Sequence, residues 1–285
     1  MAKISIAIFG VNGYLGKHFI EAIESGRYDD KVEFPIKAIQ YIAKVLPDDT
    51  IQSISQVLSG IDVVLELLSH TDELFKLMEK FVSIVRPKIF IPSQFGFDIS
   101  QVDTYAPGYY PQKKLHSERI RSLGIKTVDV FTSFWAVPGD FLYETVGFAG
   151  IDPESNTITE RGDPHSLFGI SKLEDVANSV LILVTLDISL IPDTFKIHSD
   201  IVSFHDIIDR YESTHNVKLQ VVKRMTKEEA AADLKERLAR GFDFQDINLY
   251  LQTIGTQGLD RGAYSSELHN ELVNPKETLW KWGKY

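Results

Sequence analysis

Apolar residues come first as a short block and then as a three- and four-residue repeat. The block Ile4-Ser5-Ile6-Ala7-Ile8-Phe9 ends at glycine and predicts a buried strand over residues 4–9. Behind it Leu15, Phe19, Ala22 and Ile23 share one face while Lys17, Glu21 and Glu24 fall elsewhere, which predicts a helix over 15–25 closed by Gly26. The alternation repeats. Strands are expected at 34–39, with Pro35 near the start, and more briefly around 43–46, before a helix through Ile51, Ile54, Val57 and Leu58. A strand at 62–68 precedes a helix at 72–85, where Leu74, Phe75, Leu77, Met78, Phe81, Val82 and Val85 form one broad face. Next come a strand at 88–92, a helix at 111–123 with Pro111 as its first residue, and a strand at 127–131. Such a β-α rhythm predicts an α/β fold, a doubly wound parallel sheet with helices on both faces.

The second half is less regular. Ser171-Lys172-Leu173-Glu174 has the form of a capping box ahead of Val176, Val180, Leu181 and Val184. A strand at 194–197, a helix at 204–214 capped by Ser203, and a strand at 219–222 are expected next. Thr226 to Glu229 is a second capping box, before Ala231, Leu234 and Leu238, and Asn274-Pro275 starts a last short helix. The division expected is a first domain over 1–135, joined by a returning helix and strand at about 171–198, and a smaller C-terminal α+β unit from 136–170 and 199–285.

Composition narrows the chemistry. With 285 residues, 44% of them hydrophobic, the chain can bury a sizeable core. It has no cysteine, which excludes disulfides, thiolate catalysis and cysteine–metal sites. A net charge of −10 argues against direct nucleic-acid binding. No apolar run reaches the roughly 18 residues of a membrane span. The chain goes straight into a core strand without the features of a signal peptide, so the cytoplasm is the expected compartment. His165, His198, His205, His215 and His269 lack ligand spacing, and no metal is expected.

Candidate chemistry begins at Gly10-Val11-Asn12-Gly13-Tyr14-Leu15-Gly16, a G-x-x-G-x-x-G turn between strand and helix. Glycines there allow a sharp turn and close approach to a pyrophosphate, and the helix offers free N–H groups. Ser69 and Ser93 follow strand ends on the same rim, where a hydroxyl can bond a phosphate or ribose or cap the next helix. Tyr109 and Tyr110 stand four residues before Lys113 and Lys114. Phenol and ammonium on one helix face suit proton transfer, the ammonium lowering the phenol's pKa. A lysine in a helix's first turn is itself pushed towards neutrality by the dipole. Phe131, Phe134, Trp135, Phe141 and Tyr143 could line a pocket for a flat ring or fill a core.

These motifs, with Gly60-Ile61-Asp62-Val63-Val64, Pro92-Ser93-Gln94-Phe95-Gly96, Lys113 ahead of Gly124-Ile125, and Asp175-Val176-Ala177, together resemble the NmrA-like branch of the atypical short-chain dehydrogenases. The likeness covers nearly the whole chain. It is nearest to the isoflavone reductase and phenylcoumaran benzylic ether reductase group and its fungal-type relatives. The resemblance implies a Rossmann domain that binds NADP(H), with NAD(H) the alternative. It also implies a substrate domain and hydride transfer to a small aromatic or phenolic substrate. In that register Lys113 is the general acid/base with Tyr110 beside it. Gly10, Asn12, Gly13, Tyr14, Leu15, Gly16, Ser69, Ser93, Phe95 and Lys113 meet the cofactor, and Phe134 and Trp135 meet the substrate. Three departures stand out: Asn12 for threonine, Gln94 for glutamate, and a shortened stretch near Gln40-Tyr41, where the 2′-phosphate arginine is missing and Lys37 or Lys44 would have to substitute. The alternative function is a non-catalytic, dinucleotide-sensing regulator that binds a protein partner. A homodimer or a plain scaffold fits the same fold.

Overall fold

The computed structural model describes residues 3–39 and 48–285. The first strand, β1 (Ile6–Phe9), is buried on both sides: Ile6 and Ile8 face one core, Ala7 and Phe9 another. This two-sided burial is why the run reads as continuously apolar rather than alternating. The chain continues through α1 (Tyr14–Glu24), β2 (Lys37–Ile39), α2 (Asp48–Val57), β3 (Val63–Glu66), α3 (Asp72–Val85) and β4 (Ile89–Ile91). A short α4 (Ile99–Asp103) precedes α5 (Pro111–Ser122), β5 (Lys126–Thr127), β6 (Asp129–Phe131) and β7 (Phe134–Trp135).

Among the described residues the main sheet is parallel, in the order β2-β1-β3-β4-β5. The order reverses between β1 and β3. In an open parallel sheet that reversal leaves a crevice outside the strands' carboxyl ends, the usual ligand position. The turn after β1 and the residues after β3 flank it.

The remainder comprises β8 (Ile151–Asp152), β9 (Thr157–Arg161), β10 (Leu167–Ser171), α6 (Leu173–Leu183), β11 (Thr194–Lys196), β12 (Asp200–Ser203), α7 (Phe204–His215), β13 (Gln220–Met225), α8 (Lys227–Ala239), α9 (Ile247–Gly255) and α10 (Asn270–Val273). Here β11 pairs in parallel with β6, and α6 packs on α1, so residues from both halves share one core. A third core gathers Phe97, Phe134, Phe148, Phe168, Phe204 and Tyr250 beyond the sheet's carboxyl edge.

Several expectations need correction. The strand expected at 127–131 is broken at Val128: β5 pairs with β4, while β6 pairs with β11. Ser171 does not cap α6; its hydroxyl donates to the Thr132 carbonyl, and the N-cap is Lys172, whose side chain makes no bond to the helix. Both capping residues expected downstream are present, Ser203 with Asp206 and Thr226 with Glu229. The strand expected at 219–222 is present as β13, an exposed edge strand that runs on to Met225. The strand expected around 43–46, and Lys44 and Gln40-Tyr41, lie outside the described residues.

Two glycines are fixed by close approach. Gly10 has φ +92°, and a Cβ there would sit 2.4 Å from the Leu67 carbonyl oxygen. A Cβ on Gly16 would sit 2.4 Å from the Gly10 carbonyl oxygen, whereas on Gly13 its nearest contact is 3.4 Å. Gly16→Ala is therefore expected to destabilise by about 1–3 kcal/mol as the helix is forced off the turn. Gly13→Ala should stay within about 0.5 kcal/mol. Urea unfolding of the two variants checks this; equal losses would contradict it.

Candidate functional site

The glycine turn, the ends of β3 and β4, and Trp135 enclose a groove of about 210 Å³ lined by Gly13, Tyr14, Leu15, Ser69, Ser93 and Phe95 among others. Gly13 supplies no side-chain cap to α1, and the first turn of α1 carries no acidic residue. Its leading N–H groups thus lack intrahelical acceptors and point where an anion would sit. Gly10 and Asn12 do not line the groove: Gly10 is pressed under it against Leu67, and Asn12 is exposed at the turn's tip. Tyr14 crosses the groove's mouth, its hydroxyl donating to Asp140 and its ring 5.6 Å from Phe141. Lys37, on the second strand, is in register with Ala7, short of the strand end where the glycine turn begins.

A second cleft, about 370 Å³, adjoins the first; His70, Phe95 and Trp135 belong to the walls of both. The rest of its lining is mostly aromatic or aliphatic, including Tyr110, Phe134, Phe141 and Phe244. Of the aromatic residues singled out in the sequence, Phe134, Trp135 and Phe141 reach this cleft. Phe131 pairs within β6, and Tyr143 is drawn away, its hydroxyl accepting from Lys172 and its ring under Arg210 and beside Tyr285.

Beneath both clefts lies a buried polar layer. Pro111 begins α5, which places Lys113, His116 and Ser117 on its inward face. Nζ of Lys113 donates to the Gln94 carbonyl at 2.9 Å and lies 5.2 Å from the Tyr110 ring centre. Burial pushes the Lys113 pKa down to about 7, against the opposing charges of Glu66 and Asp129. Gln94 Nε2 donates to the Lys113 carbonyl at 2.9 Å and to Ser117 Oγ at 2.8 Å, while Ser117 donates to Asp129. A glutamate at 94 could make neither donation, which gives the departure at that position a physical reason. His116 lies between two carboxylates, 2.9 Å from Glu66 and 3.0 Å from Glu79, with Phe75 stacked on its ring. Burial opposes its charge, but the bonds and charges of both carboxylates prevail and raise its pKa.

The Tyr-x-x-x-Lys pairing on one helix face does not form. Tyr109 and Tyr110 precede α5, with Tyr110 at φ +46° as its N-cap. Lys114 turns to Asp103 at 3.5 Å. Burial pushes the Tyr110 phenol up to about 12, opposite to the lowering expected. Lys113 is not among the residues lining either cleft.

Sequence reasoning passed over Glu66 and His70. Glu66 left a signal, a lone charge within Val-Val-Leu-Glu-Leu-Leu. His70 follows Ser69 directly on the rim but has no motif of its own.

No family model matches the chain, and no curated protein matches it by sequence. Solved structures do match. One comes from work on pinoresinol-lariciresinol and phenylcoumaran benzylic ether reductases, with 20% identity, a TM-score of 0.68 and 95% of each chain covered. Leucoanthocyanidin reductase of Vitis vinifera, solved with NADPH, has 15% identity and a TM-score of 0.64, covering 89% of this chain and 87% of its own. Triphenylmethane reductase of Citrobacter sp., complexed with NADP(H), has 13% identity and a TM-score of 0.61 over 95% of each chain. At such identities the likeness establishes the fold: a Rossmann-type α/β architecture with a smaller C-terminal portion.

The His116 cluster has a pH signature. Because the folded-state pKa is raised, its stabilisation is complete below the ordinary histidine value and is lost as pH rises through the raised one. His116→Ala is expected to cost about 3–5 kcal/mol at pH 6, since it leaves a buried carboxylate unpaired. The gap between wild type and variant should shrink as pH rises, as followed by denaturant unfolding; a gap that widens would contradict the assignment.

Proposed function

We propose that the chain is an NAD(P)H-dependent reductase that transfers hydride to a small aromatic or phenolic substrate, with NADP(H) the preferred cofactor and NAD(H) the alternative. The observation that carries this reading is adjacency: the groove at the glycine turn and the aromatic cleft share His70, Phe95 and Trp135 as wall residues. The close-packed Gly10 and Gly16 and the uncapped start of α1 suit a pyrophosphate. A bound nicotinamide would supply the hydride. The neighbours solved with NADPH or NADP(H) support the same assignment.

Around that transfer the protein's part is to hold a flat ring, exclude water and deliver a proton. Phe134, Phe141 and Trp135 provide apolar walls. Lys113 is the proposed proton donor, with Tyr110 beside it. Its pKa near 7 leaves it shared between charged and neutral forms at physiological pH, which suits a general acid. To reach the cleft, its ammonium exchanges the Gln94 carbonyl for the substrate oxygen. One observation favours a second reading, a non-catalytic dinucleotide sensor with a protein partner: Lys113 is held by Gln94 and lines neither cleft.

NADPH is expected to raise the melting temperature, and no shift with millimolar NADPH or NADH would remove both readings. With a turned-over substrate, Lys113→Ala should lower kcat by roughly 10²–10⁴-fold with NADPH affinity little changed. Turnover should fall as pH rises through about 7, where Lys113 loses its proton. Full activity in Lys113→Ala would move the role to Lys114 or Tyr110.

A further inference from the structure

His70 lines the groove, the aromatic cleft and a third, larger opening bounded by Thr71, Tyr110 and Phe242. Few polar side chains face the aromatic cleft. One of them, the Ser133 hydroxyl, is already committed to the Ala263 carbonyl at 2.7 Å. His70 is different, because its tautomer is fixed from behind. Nε2 is 2.9 Å from the Ser93 carbonyl oxygen, which can only accept. Nε2 also lies 3.2 Å from Ser93 Oγ, whose own proton goes to the Leu68 carbonyl at 3.0 Å, so that oxygen accepts as well. Both contacts require the ring proton on Nε2. Nδ1 is then a bare lone pair, on an exposed side chain, with no hydrogen bond among the described residues.

We infer that His70 is the specificity-determining acceptor of the aromatic cleft, its Nδ1 taking a hydrogen bond from a hydroxyl on the bound ring. The inference rests on reading that cleft as the substrate pocket, and it adds a selection: ring hydroxyls are preferred over their methyl ethers, which have no proton to give. One edge of the imidazole is exposed, but the walls of the clefts crowd the rest of it and, with the Lys113 charge nearby, lower its pKa and keep it neutral, so the acceptor persists at physiological pH. The Tyr110 ring, 5.8 Å from His70 at a steep angle, and the Phe75 ring at 6.3 Å restrict the imidazole's rotation.

The test uses the full chain at neutral pH with two probes of the same shape, 2-naphthol and 2-methoxynaphthalene, titrated calorimetrically. Wild type is expected to bind 2-naphthol roughly five- to tenfold more tightly, the difference one hydrogen bond makes. His70→Phe keeps a flat ring without the acceptor and should bind both probes equally. His70→Gln, which retains an acceptor oxygen, should keep part of the preference. Equal binding of the probes by wild type, an undiminished preference in His70→Phe, or no binding of either probe would each overturn the inference. NADPH-induced melting shifts are recorded in parallel. A normal shift without probe selectivity sinks the His70 assignment alone. Selectivity without any shift sinks the reductase reading and leaves His70 as the acceptor of a cofactor-free binding cleft.

Discussion

Everything at the rim rests on a polar layer that water does not reach. Glu66, Gln94, Lys113, His116 and Ser117 are all buried, and they satisfy one another across β3, the loop after β4 and the inward face of α5. A buried charge without partners is costly, so none of these groups can be moved alone. The layer therefore fixes α5 against the sheet. Fixing α5 sets Tyr110 in its left-handed N-cap and holds the loop of Ser93, Gln94 and Phe95 at one height. The layer is not fully satisfied: one oxygen each of Glu66 and Gln94 has no partner. That residual polarity lies close to Lys113, the group whose charge is most sensitive to it.

The clefts follow from two layers of order above this one. The strand reversal between β1 and β3 opens the crevice, and two close-packed glycines let the backbone line it without side chains. The third core then brings aromatic residues to the crevice's far end. Tyr14 connects the two regions by bonding Asp140 from the first turn of α1. His70, Phe95 and Trp135 stand where the two clefts meet.

The first half of the fold was legible because β1, β3 and β4 are buried on both faces and α1 and α3 carry one apolar face, so the period changes at each boundary. Helix 72–85 was read to its last residue. The second half hides its burial. In β9, Thr157-Ile158-Thr159-Glu160-Arg161 reads as polar, yet Arg161 is buried by bonding Thr253 and Asp233. In α9, Gln252 is buried by donating to the Ala149 and Thr159 carbonyls. Hydrogen-bonded burial of this kind hides β9, whereas β10 and α9 do carry an apolar pattern, in α9 through Ile247, Tyr250, Leu251 and Ile254 at helical spacing. The site divides the same way. Glycine spacing and the Ser93–Phe95 loop are local and could be seen. The break between Tyr110 and α5 depends on a backbone angle. His70 acquires its position only where three surfaces meet.

The central claim is that the groove at the glycine turn holds a dinucleotide whose nicotinamide end meets the aromatic cleft at His70, Phe95 and Trp135. A crystal structure of the chain grown with NADPH tests it most directly. The account predicts pyrophosphate density on the N–H groups that begin α1 and nicotinamide density among His70, Phe95 and Trp135. NADPH density that lies elsewhere, or that runs from the glycine turn away from those three residues, would contradict it.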